Sequence, residues 1–69
     1  MKTIKVIELI GTSKQSWEDA ANNAAKEAQE TIKGISGLEL VGQTAQIENG
    51  AITEYRSNIK IAFLVEDNR

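Results

Sequence analysis

The sequence predicts an α+β fold of β-α-β-β order, in which a three-stranded antiparallel sheet wraps around one helix. Three features predict it. The chain opens on a run rich in β-branched residues, continues into one amphipathic segment with readable ends, and places Asn49-Gly50 between two further strand-like runs. At 69 residues it is expected to form a single domain over residues 1–69.

Lys2 to Ile10 (KTIKVIELI) is too short for a typical helix and reads as the first strand. Gly11-Thr12-Ser13 is expected to break it. Ser16 and Asp19 then stand at capping-box spacing, with Ser13 an alternative cap for an earlier start. Glu18 and Asp19 put negative charge in the first turn, where the helix dipole favours it. Trp17, Ala20, Ala21, Ala24, Ala25, Ala28 and Ile32 recur at intervals of three and four, which is one face of a helix. Gly34 suits the left-handed residue after the last turn. The middle of the apolar face is almost entirely alanine. Such a face buries little area, but it lets the helix backbone lie close to a sheet, so the bulk of the core must come from the strands.

Leu38 to Ile47 reads as the second strand, with Gly42 a bulge or close-approach point. Asn49-Gly50 favours a type I′ turn. The third strand runs from about Ala51 to Val65. Tyr55, Ile59, Ile61, Phe63 and Val65 lie on its apolar side, and Glu54, Arg56, Asn58 and Lys60 on a wet one. Glu66 to Arg69 reads as a polar tail. Fifteen extended residues span about 50 Å, whereas a compact chain of this length has a diameter near about 28 Å. The hairpin must therefore curl strongly or project beyond its own domain, and a projecting hairpin offers edges to another chain.

Composition narrows the function. Eight basic residues against ten acidic ones leave a net charge of -2, so no basic excess serves nucleic acid. Cysteine and histidine are both absent, which removes disulfides, thiolate nucleophiles, imidazole catalysis and soft-metal sites. The ten carboxylates suit only hard cations such as calcium or magnesium, brought together where copies of the chain meet. With no membrane-length apolar run, no signal-peptide layout and no catalytic motif, the expectation is a cytoplasmic, non-enzymatic protein without a membrane partner.

Several segments then fall into a known order. VIELIGTS at Val6–Ser13, SWEDA at Ser16–Ala20, TIKGI at Thr31–Ile35, LELV at Leu38–Val41, IENG at Ile47–Gly50, TEY at Thr53–Tyr55 and the ending Ile59–Asp67 together cover nearly the whole chain. In sequence and spacing this resembles the dodecins, small flavoproteins that assemble into hollow twelve-subunit spheres. The resemblance implies a dodecin-like subunit, a homododecamer, and a flavin such as FMN or riboflavin stored in pairs between subunits. It also implies three site positions: a tryptophan stacked on the isoalloxazine just before the second strand, an arginine on that strand, and a glutamine on the third strand that bonds the ring's polar edge.

This chain departs at all three. Gly37 stands in place of the tryptophan, Thr44 in place of the arginine, and Arg56 in place of the glutamine. Trp17 belongs to the helix start and does not substitute. Stacking contributes about 1–3 kcal/mol per ring and each neutral hydrogen bond about 0.5–1.5 kcal/mol. Losing both costs about 2–4 kcal/mol per flavin. The expectation is a binding or sequestering cage whose usual flavin site is weakened or lost. Arg56 then either meets an anionic ligand or pairs with Glu39 or Glu54. The alternative is a cage that binds divalent cations or is purely structural.

Overall fold

The structure, a computed structural model, describes residues 2–66. Its elements follow the expected order: β1 (Lys2–Ser13), α1 (Trp17–Thr31), β2 (Ile35–Glu48) and β3 (Ala51–Glu66). β3 is central, and both β1 and β2 pair with it antiparallel. Residues 67–69 of the expected polar tail lie outside the described residues, while Glu66 closes β3.

The expected break at Gly11 does not occur. β1 runs on to Ser13, which lies opposite Tyr55 of β3. The physical reason is that Gly11 serves helix packing. A Cβ there would collide with the Ala20 carbonyl oxygen and lie 2.8 Å from Ala24 Cβ. Glycine on the strand and alanine on the helix together let the two backbones meet, and the alanine face alone would not have sufficed. β2 likewise starts at Ile35, ahead of the expected Leu38.

Helix α1 begins as its sequence indicates. The Ser16 hydroxyl accepts the Asp19 amide at 3.0 Å. Ser13, the other candidate cap, acts elsewhere. Its buried hydroxyl donates to Asp19 Oδ2 at 2.7 Å and accepts the Gln15 amide at 2.9 Å. The β1–α1 turn is thus tied to the first helical turn. At the other end the helix stops at Thr31, and Ile32 is already extended while its amide donates to the Ala28 carbonyl. Gly34 does adopt a left-handed conformation, φ 79°. It lies two positions past the cap, so it steers the chain into β2, where its carbonyl accepts the Leu64 amide at 3.1 Å.

Alternation along β3 puts Ser57, Ile59 and Ile61 under the helix, all fully buried. Ala24 and Ala28 pack on the two isoleucines, with Ile7, Leu9, Ile35 and Phe63 around them. Asn49 (φ 54°) and Gly50 (φ 79°) make the turn that joins β2 to β3, with the positive pair of a type I′ hairpin. Of the two options open to that hairpin, projection is realised. The molecule measures 57 × 19 × 13 Å, and its radius of gyration is 14.5 Å against about 11 Å for a compact chain of this length.

The projection leaves excess surface. The chain exposes 5288 Å², about 1,000 Å² more than a compact monomer of its mass, which exceeds one partner's usual share of a stable interface. Much of it is apolar. Ile4, Val6 and Ile10 are each more than half exposed on the face away from the helix, so that face is wet only in part. α1 leans over β1 and β3, leaving Leu38 and Leu40 of β2 exposed on the helix side.

Candidate functional site

Residues directly opposite one another in an antiparallel pair share a face. The register therefore resolves the helix-free face into rows: Val6–Ala62–Gly37, Glu8–Lys60–Glu39, Ile10–Asn58–Gly42, Thr12–Arg56–Thr44 and, beyond the end of β1, Glu54–Gln46. Two of the three candidate positions thus come together, since Thr44 lies opposite Arg56. The third does not. Gly37 is opposite Ala62, six residues along β3 from Arg56, or about 20 Å. A slip in register at Leu40/Gly42 confirms the irregularity expected at Gly42. Both Gly37 and Gly42 face open space, with nothing within 4 Å of where a Cβ would sit.

Arg56 is the best-anchored side chain on this face. Its Nε donates to Glu54 Oε1 at 2.9 Å, and its Nη2 donates to Gln46 Oε1 at 3.0 Å. Gln46 in turn donates through Nε2 to Glu48 Oε2 at 3.3 Å. Of its two candidate acidic partners Arg56 therefore takes Glu54, whereas Glu39 shares a row with Lys60. With side-chain exposures of 46% and 32%, the ion pair contributes about 0–1 kcal/mol and mainly sets orientation.

Trp17 works from the other side of the sheet. Its Nε1 donates to the Thr44 carbonyl at 2.8 Å, and its ring meets Tyr55 edge-on at 4.8 Å between centroids. Its own carbonyl accepts the Ser57 hydroxyl at 2.7 Å. The indole fastens β2 to the helix behind the Thr44–Arg56 pair.

Two residues of this face are missed by the sequence pattern. Thr12 falls in the expected break and so has no place in a row. Asn58 reads only as a polar position in an alternating strand, yet its Oδ1 is a buried side-chain acceptor with no hydrogen-bond partner among the described residues. Elsewhere, an apolar groove of about 240 Å³ opens between β1 and α1, lined by Ile7, Leu9, Ala24, Ala28 and Ile32 with Glu27 and Thr31 on its rim. Among the described residues no three carboxylates gather as a metal site, and no helix is long and apolar enough to cross a membrane.

A single helix on a three-stranded antiparallel sheet, with apolar strips uncovered on both faces and a polar row at the base of a projecting hairpin, defines a small α+β module whose sheet is only partly covered by its own chain. The family model described as Dodecin matches residues 3–66, and the chain belongs to the dodecin family. It is similar to the calcium dodecin of Mycobacterium tuberculosis, with 32% identity over 63 residues, 91% of this chain and 89% of that relative. The dodecin of Streptomyces coelicolor superposes with a TM-score of 0.92 at 28% identity, covering 97% of this chain and 96% of the other. The crystal structure of the calcium dodecin of M. tuberculosis, described as a calcium chelating antigen with a novel calcium-binding site, gives a TM-score of 0.82 at 31% identity, with 97% and 96% covered. Dodecins are small binding proteins whose assemblies are multimeric. The resemblance read from the segments, and the β-α-β-β fold it implied, both hold.

Proposed function

We propose that this dodecin is a non-catalytic, cytoplasmic protein that sequesters a small molecule in a hollow homododecamer, and that it does not hold flavin in the stacked mode. The observation that carries the reading is Gly37. It supplies no ring, no described atom approaches its open side, and the Thr44–Arg56 pair lies about 20 Å away on the same chain. A compact ligand touching both kinds of position would bridge two copies. The excess surface and the uncovered Ile4, Val6, Ile10, Leu38 and Leu40 favour such an assembly.

Light scattering is expected to give about 90 kDa, twelve copies of a 7.5 kDa chain, at low salt and in 0.5 M salt alike, because apolar burial drives the contact. A monomer would overturn the cage. Titration with riboflavin or FMN is expected to quench flavin fluorescence only weakly; strong quenching would overturn the loss of the stacked mode.

A second reading is favoured by one relative. The calcium dodecin of M. tuberculosis is described as calcium chelating, and this chain carries ten carboxylates. Since a single chain gathers no three of them among its described residues, calcium or magnesium would be shared between copies, with side chains such as Glu8, Glu39, Glu48 or Glu54 as donors. Calcium at one hundred times its Kd would then stabilise the protein by about 2.7 kcal/mol, raising the melting midpoint by several degrees over a chelated sample. Identical midpoints with calcium and with chelator remove this reading.

A further inference from the structure

We infer that the row Thr12–Arg56–Thr44, together with Asn58, is a receptor for a phosphomonoester whose organic part carries a hydroxyl or N–H. The inference deepens the small-molecule reading above and rests on it.

Charge along the helix-free face singles out this row. The row Glu8–Lys60–Glu39 is net negative, as is Glu54–Gln46, while Thr12–Arg56–Thr44 is net positive and has a hydroxyl on either side of the guanidinium. Thr12 and Thr44 are both exposed. Cross-strand neighbours stand about 5 Å apart at Cα, so the strands place one hydroxyl-bearing residue on each side of Arg56.

The guanidinium is oriented before any ligand arrives. Glu54 takes Nε and Gln46 takes one Nη2 hydrogen. What remains is the end of the fork, Nη1 with the second Nη2 hydrogen, on a side chain 46% exposed. That end presents two parallel donors, the geometry that grips a phosphate through two oxygens. Glu54 and Gln46 thus act as a brace that saturates one edge and leaves the other for a ligand.

Asn58 adds the second half of the specificity. It is the next residue of β3 on this face, about 7 Å from Arg56, and its Oδ1 lacks a partner among the described residues. A buried, unmatched amide oxygen is costly and calls for a donor. Opposite it Gly42 leaves open space where any other residue would place a side chain. A ligand with its phosphate on Arg56 and its body over Gly42 brings a hydroxyl or N–H to Asn58 once the amide turns toward that notch. Inorganic phosphate fills only the first half of the site, and an uncharged nucleoside or sugar only the second.

The test is equilibrium dialysis at low salt with AMP as probe, adenosine and inorganic phosphate as controls, and light scattering on every variant. AMP is expected to saturate the protein, with adenosine at least tenfold weaker. Arg56→Gln should weaken AMP at least tenfold, and Asn58→Ala should weaken AMP several-fold while leaving inorganic phosphate unchanged. Glu54→Gln should tighten AMP a few-fold, because the nearest competing carboxylate is gone. Absence of saturable AMP binding at millimolar concentration, or equal AMP affinity in Arg56→Gln, overturns the site. If AMP fails while the assembly mass holds, the Arg56 site falls and the wider reading stands. A monomer that still binds AMP through Arg56 overturns the cage and supports the site.

Discussion

Gly11→Ala is expected to destabilise the protein by about 3 kcal/mol or more, the upper range for overpacking in a well-packed contact. The added Cβ would collide with the Ala20 carbonyl oxygen and press on Ala24 Cβ at 2.8 Å. Neither obstacle is the far end of a flexible side chain. Relief requires the whole N-terminal half of α1 to lift, which opens the seam between Ala24 and Ile59 that forms part of the core. Lifting the helix also strains the bonds that hold it to its neighbours: Ser13 to Asp19, Asn23 Nδ2 to the Thr12 carbonyl, and Trp17 Nε1 to the Thr44 carbonyl. Urea unfolding reads the effect directly as a lower midpoint. A variant within about 0.5 kcal/mol of the parent, the scatter typical of neutral surface changes, would mean that Gly11 is not a packing contact. Ala28→Gly provides the contrast, because it removes a methyl from the same face without a clash and adds only the helix-propensity cost of about 1 kcal/mol to a small cavity term.

The same residue marks where sequence reading stops. The helix was legible because its signals are local: alanines at intervals of three and four, Ser16 three residues before Asp19, acidic side chains in the first turn. The hairpin was legible because Asn49-Gly50 needs only its own backbone to form the turn. Gly11 was not, since a glycine in a turn and a glycine beneath a helix look alike until Ala20 is placed against it. A strand that ends at Ile10 leaves Thr12 outside the sheet, and with it one side of the row around Arg56. The identities at Gly37, Thr44 and Arg56 followed from the order of segments, but their distances did not. Those depend on the register slips at Ile35/Gly37 and Leu40/Gly42, each of which adds an unpaired residue to β2. Asn58 was legible only as polar, because an unmet hydrogen bond is a property of the packed side chains and leaves no mark on the pattern.

Projection of the hairpin links these pieces to function. A type I′ turn matches the twist of its strands, and β2 and β3 continue past Ser13, the last residue of β1. Gln46 and Glu54 lie on that extension and brace Arg56 from beyond the helix-covered part of the sheet. A shorter hairpin would keep the core and lose the brace. Length that contributes little to the chain's own core therefore holds a charged group in a fixed direction and offers edge and apolar surface to another copy.

The double variant Gly37→Trp, Arg56→Gln is expected to raise flavin affinity between tens and a thousandfold, the reverse of the roughly 2–4 kcal/mol lost with stacking and amide bonding. The backbone permits it. Gly37 has no left-handed φ, and its open side holds no atom within 4 Å of where a Cβ would sit, so a side chain starts there without strain. It would lie over Ala62, whose methyl leaves a flat floor for a ring, next to the apolar Val6. Replacing Arg56 frees Glu54 and Gln46 from the guanidinium and restores an amide that both donates and accepts. Gly37→Trp alone should recover the stacking share and Arg56→Gln alone much less, since an amide without a ring to orient the flavin gains one hydrogen bond. Fluorescence titration with riboflavin separates the contributions, and using riboflavin keeps the phosphate out of the comparison. If the double variant quenches riboflavin no better than the parent while its assembly mass is unchanged, the two positions do not face each other across copies, and Gly37 does not account for the proposed loss of the stacked mode.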